Sequence, residues 1–114
     1  MSESKLRTQS MDFAVSIIEL VKSLKSKRES IISNQIGRSG TSIGANIRES
    51  HYAHSKADFI AKLQIALKEC SESEYWIELL IESGYYDDKA ILENCVELKK
   101  ILISSINTAK KNNN

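Results

Sequence analysis

The chain is 114 residues long, enough for one domain with one core, and its 16 Lys and Arg nearly cancel its 15 Asp and Glu, leaving a formal charge of +1. That balance excludes a global field drawing the protein onto nucleic acid. At 41% hydrophobic and 27% charged residues, no apolar run approaches the ~20 residues a membrane span requires.

Proline is absent and only Gly84 stands where a turn is needed, so the chain reads as helix. The opening "MSESKLRTQSMDF" has no apolar signal core or small-residue cleavage site, which predicts a soluble protein in a reducing cytoplasm. The first helix is expected over 8–26, with Ala14, Ile17, Ile18, Val21 and Leu24 as its core stripe. A second is expected over 29–53, with Ile32, Ile36, Ile43 and Ile47 on one face. The third, over 55–83, opens on Ser55, whose hydroxyl can cap free amides with Asp58 three residues on, and ends against Gly84. Its apolar positions include Phe59, Leu63, Ala66, Cys70, Ile77 and Leu80. The fourth, over 88–109, runs through Ile91, Val96, Leu98, Ile101, Leu102 and Ile106, and residues 110–114 form a polar tail. Four helices with short joins predict an all-α, up-down-up-down antiparallel four-helix bundle in a single domain, 1–114.

Two helices carry more apolar surface than one core face needs. Phe13 and Leu20 fall outside the stripe assigned to the first, and Ile60, Ile65, Trp76 and Leu79 outside that of the third. The surplus predicts a homo-oligomer.

The segment "GRSGTSIGANIRES" holds three of the four glycines, Gly37, Gly40 and Gly44, within a helical pattern. At 100° per residue they form a strip beside Ile36, Ile43 and Ile47. An interior glycine costs a helix up to about 1 kcal/mol relative to alanine, so the strip implies close approach by another helix, either within the bundle or from a partner. On the other flank Gln35, Ser39, Ser42, Asn46 and Glu49 recur at spacings of 4 and 3. This polar seam, together with Gly40, Gly44 and Trp76, is the candidate site for helix packing or oligomer contact. Arg38 and Arg48 point further round and are candidate nucleic-acid contacts, the alternative being solvation or pairing with carboxylates. Residues 1–62 carry a net charge of +4 and residues 63–114 a net of −3, so the N-terminal half offers a modest basic face.

Other chemistry finds little footing. The glycines spell neither GxGxxG nor GxxxxGK[ST]. His51, His54 and Asp58 would share one side only if a helix continued through a stretch where a break is expected. Glu69, Glu72, Glu74, Glu78 and Glu82 have no ExxH companion, and Cys70 and Cys95 lack metal-ligand spacing and fit buried free thiols. No catalytic, cofactor-binding or metal-binding residue is assigned, and no enzymatic activity or cofactor is expected.

"QIGRSGTSIGANIRES" followed by "DFIAKLQIALKECSESEYWIELL" resembles the small bacterial proteins encoded in intervening sequences of 23S rRNA genes, sometimes labelled ribosomal proteins. The accessory variability protein of diversity-generating retroelements is similar to the same group. The resemblance spans about residues 10–108 and is most specific at Arg38 to Glu49 and Ala66 to Trp76. It implies an antiparallel four-helix bundle assembled as a ring-shaped homopentamer. For the retroelement member it also implies binding of nucleic acid and of a reverse transcriptase through a strongly basic surface, a pattern from which a net charge of +1 departs. The expected function is that of a non-enzymatic, pentameric accessory or scaffold protein for an RNA-related or protein partner, with no membrane association. Direct RNA or DNA binding through the basic half is the alternative.

Overall fold

The computed structural model describes residues 2–112, and its order is α1 (Ser2–Ser26), α2 (Ile31–Ser50), α3 (Lys56–Glu82) and α4 (Ala90–Lys111). α1 starts six residues before the expected Thr8, because Leu6 is buried and anchors the extra turns to the core. α4 continues past the expected end at Ala109 to Lys110 and Lys111, whose cations sit at the negative end of its dipole. Of the expected polar tail, Asn113 and Asn114 lie outside the described residues, as does Met1 at the other end.

Each helix buries a narrow seam. On α1 it is Leu6, Ser10, Phe13, Ile17, Leu20 and Leu24; on α2 it is Ser33, Ile36, Gly40, Ile43, Ile47 and Ser50, with Ser39 buried beside it. α3 buries Leu63, Ala66, Cys70, Ser73, Ile77 and Leu80, and α4 buries Ile91, Cys95, Leu98, Leu102 and Ile106. Spacings of 3 and 4, alternating on α1, α2 and α3 and broken only at Ile106 on α4, mark coiled-coil-like packing, in which a heptad seam faces its neighbours. This corrects the stripe expected for α1. Phe13 and Leu20 are core residues, while Ile18, expected in the core, stands 48% exposed. The sequence fits both stripes through Ile17 and Leu24, and the heptad wins because it also buries Leu6 and the bulkier Phe13.

Each helix packs on its neighbours in sequence, and α4 returns to α1. Gly44 meets Ser10 while Gly37 meets Val21, so α1 and α2 are antiparallel. Glu49 reaches Lys62 while Arg38 reaches Glu69 and Glu72, so α2 and α3 are as well. The resulting bundle measures 51 × 21 × 19 Å.

The turns show how the ends are closed. α1 finishes with Glu29 N–H donating to Leu24 O (2.9 Å) and Arg28 N–H donating to Lys25 O (3.0 Å), with Arg28 held at φ +66°. α3 ends in the same way, with Tyr85 N–H on Leu80 O at 3.0 Å and Gly84 at φ +84°. Ser30 caps nothing at the start of α2. Instead the buried Glu29 carboxylate accepts from Ile32 N–H (2.9 Å) and Ser33 N–H (2.7 Å), placing negative charge at the positive end of the helix. Ser55 caps α3 as expected, accepting from Asp58 N–H at 3.0 Å.

Cys70 and Cys95 are buried free thiols that face each other, their sulfurs 3.8 Å apart. Hydrogen bonding to Cys70, reinforced by burial, pushes the Cys95 thiol well above its ordinary range, so it stays protonated. Among the described residues no helix is long and apolar enough to cross a membrane.

Candidate interaction site on α2

The two flanks of α2 are taken up by different helices. The glycine strip faces α1. A Cβ built on Gly40 would stand 2.8 Å from Ile17 Cγ1 and 3.3 Å from Ile17 Cβ. One on Gly44 would meet Ser10 Oγ at 3.3 Å, and one on Gly37 would meet Val21 at 3.4 Å. The close approach inferred from the glycines is therefore made inside the bundle, and α1 fills the strip.

The polar seam faces α3. Ser39 is buried with its hydroxyl 2.8 Å from that of Ser73, which satisfies both groups in the core. Ser42 and Asn46, half-buried, donate to the carbonyls of Arg38 (2.7 Å) and Ser42 (2.9 Å) on their own helix. Glu49 is exposed and pairs with Lys62 at 3.2 Å, and Gln35 is exposed. Only Ser39 is a core polar group, and of the five only Ser39 and Glu49 reach a side chain of α3.

Arg38 is engaged across that edge. Its guanidinium donates to Glu69 at 3.1 Å and to Glu72. Glu72 also accepts from the Trp76 indole N–H at 2.9 Å, which places Trp76 in the same network. The Trp76 donor, followed by Arg38, holds the Glu72 carboxyl below the usual carboxylate range. Arg38 and Trp76 are thus joined through one carboxylate, Glu72, while Glu69 pairs with Arg38 alone.

Arg48 is placed differently. It is exposed and makes no ion pair among the described residues, and it lies with Arg7 along a groove of about 330 Å³ between α1 and α2. Met11, Ala14 and Ile18 of α1 form the apolar floor, with Thr41 and Ala45 of α2 opposite. Met11, Val15 and Ile18 are each nearly half exposed, at 49%, 49% and 48%. The expected stripe of α1 takes Ile18 into the core and leaves Met11 and Val15 unassigned, so it does not mark this strip. The signal that locates it is the heptad, since Met11, Val15 and Ile18 are the apolar residues of α1 most clearly left off the 6-10-13-17-20-24 seam.

His51 and His54 lie in the turn between α2 and α3, and Asp58 in the first turn of α3, so the helix break separates them. Among the described residues no three His, Cys, Asp or Glu side chains are gathered as metal ligands.

A family model for 23S rRNA-intervening sequence proteins matches residues 2–104. The chain is also similar to a solved structure from Bacteroides thetaiotaomicron, a protein of unknown function from the S23 ribosomal protein family. The two share 49% identity with a TM-score of 0.91, over 94% of this chain and 99% of that one. No curated protein matches the chain.

Proposed function

The chain belongs to the 23S rRNA-intervening sequence protein family, and from that membership we propose that it acts without catalysis, as a self-associating, pentameric helical bundle that serves as accessory or scaffold for an RNA-related or protein partner. The observation that carries this reading is the strip of Met11, Val15 and Ile18 on the outer face of α1. Three apolar side chains at spacings of 4 and 3, each about half exposed, are not used by the bundle's own packing. Beside the groove that Met11 and Ile18 share with α2, the three make an apolar surface of the kind that marks protein association. Ile65 and Tyr75 on α3 and Ile103 on α4 leave further apolar surface exposed, which gives a second copy somewhere to pack. Light scattering coupled to gel filtration tests this. A species of five chain masses at micromolar concentration is the expected result, and a monomer there would remove the scaffold reading.

Arg48 favours a second reading, direct binding of RNA or DNA. Unlike Arg38, which is committed to Glu69 and Glu72, Arg48 pairs with no carboxylate among the described residues and lies beside Arg7. Two cations on one rim support a phosphate contact whose affinity falls as salt rises. Titration with single-stranded RNA at several salt concentrations checks it. Arg48→Glu should abolish binding, whereas equal binding by the variant would reject the contact.

A further inference from the structure

Among the described residues, one end of the bundle is incompletely filled. Leu6 of α1, Ile47 of α2, Phe59 and Leu63 of α3 and Ala109 of α4 surround a cavity of about 180 Å³. It opens past His51 and Asn112 into an outer depression bordered by the α2–α3 turn. Ser105 and Thr108 of α4 also line the cavity, and of the two the Ser105 hydroxyl oxygen is the one buried with no hydrogen-bond partner among the described residues. Ser50, on the same wall, is already committed, donating to Ile47 O at 2.6 Å.

These features set the chemistry of an occupant. A dry cavity of about 150 Å³ lined by Leu, Ile and Phe side chains is large enough to take up benzene, whereas ordered water needs 2–4 polar partners. Here the apolar walls suit a ring better than a water cluster. The single unsatisfied hydroxyl costs free energy until something bonds to it. We infer that this end cavity binds a small uncharged aromatic alcohol of the phenol class, with its ring among Leu6, Ile47, Phe59 and Leu63 and its hydroxyl on Ser105 Oγ. The ring supplies the apolar fill and the hydroxyl satisfies Ser105. The path past His51 and Asn112 lets the ligand enter without unfolding a helix.

Methyl and amide NMR of the full chain, titrated with phenol and in parallel with toluene, tests the site. Phenol should produce saturable shifts centred on Leu6, Ile47, Leu63 and Ala109, with a dissociation constant of roughly 0.1–1 mM, well inside the efficiency ceiling for seven heavy atoms. Ring-proton NOEs to those methyl groups locate it in the unmodified protein. Non-saturable shifts, or NOEs elsewhere, overturn the proposal. Ala109→Leu should fill the cavity and weaken both ligands at least tenfold. Ser105→Ala should weaken phenol about fivefold while leaving toluene unchanged, and equal loss of both would overturn the role given to the Ser105 hydroxyl.

Discussion

Gly40 packs so tightly on Ile17 that a Cβ at Gly40 would fall 2.8 Å from Ile17 Cγ1. Ile17 is branched at Cβ, itself only 3.3 Å away, so the obstacle is not the free end of a flexible chain. Overpacking of this kind costs about 1–3 kcal/mol, against up to about 1 kcal/mol gained in helix propensity. Gly40→Ala should therefore lower stability by about 1–2 kcal/mol in urea unfolding. Gly37→Ala, whose Cβ would meet Val21 at an ordinary 3.4 Å, should be neutral or raise stability by up to about 1 kcal/mol. In an Ile17→Ala background the Gly40→Ala penalty should disappear. If it persists, the cost arises elsewhere.

Ser39 and Ser73 satisfy each other in the core between α2 and α3. Replacing one with alanine strands the other hydroxyl, at about 1–3 kcal/mol, whereas replacing both removes the need for a partner. Ser39→Ala and Ser73→Ala should each destabilise by that order, and the double variant by clearly less than their sum. Strict additivity in a denaturation cycle would show that the two hydroxyls are independent.

Glu72 links Trp76 to Arg38, and its depressed pKa makes the link pH-dependent. A carboxyl with a folded pKa below its unfolded value, roughly 4.3, contributes stability that is fully present above that value and lost as pH falls through the folded pKa. The one tryptophan reports this directly, because protonating Glu72 weakens the acceptor for the Trp76 indole N–H. Trp fluorescence should titrate below the usual carboxylate range while circular dichroism is unchanged. Glu72→Gln should abolish that transition and flatten the acid limb of stability. An unchanged fluorescence titration in Glu72→Gln would assign it to another group.

The helical class, the three joins and the Ser55 cap were legible because each rests on local pattern: apolar periodicity, a glycine past a helix end, a hydroxyl three residues before Asp58. Which stripe of α1 turns inward was not, since Ile17 and Leu24 belong to both candidates and only packing against α2 and α4 chooses between them. The α2 site shows the same division. The glycine strip and the polar seam follow from 100° arithmetic, but their occupants, Ile17 and Ser10 on one side and Ser73 and Lys62 on the other, are long-range partners. Glu29 as the N-terminal cap of α2 is not legible in local pattern, because Ser30, the residue type that more often caps, stands directly after it.

Arg28 occupies the left-handed position that closes α1, at φ +66°, the role Gly84 fills after α3. A side chain there costs about 1–2 kcal/mol, partly offset by the greater freedom glycine gives the unfolded chain. Arg28→Gly should therefore raise stability by up to about 1 kcal/mol, and Gly84→Ala should lower it by a similar amount. Urea midpoints compared at equal slope measure both; a loss of stability in Arg28→Gly would mean that the arginine side chain makes a compensating contact.

Ile18 offers a test of the proposed self-association that leaves folding untouched. It stands 48% exposed on the outer face of α1 beside Met11 and Ala14, off the seam that packs the bundle. A surface substitution of this kind changes the stability of a single chain by about 0.5 kcal/mol or less. A carboxylate placed in an apolar interface must instead be desolvated without a partner, which costs several kcal/mol for every contact a symmetric assembly repeats. Ile18→Glu should accordingly keep its helical content and run as a smaller species in light scattering, with the unmodified chain as reference. Retention of the full assembly by both Ile18→Glu and Met11→Glu would exclude the α1 strip from the interface and move the search to Ile65 and Tyr75 on α3.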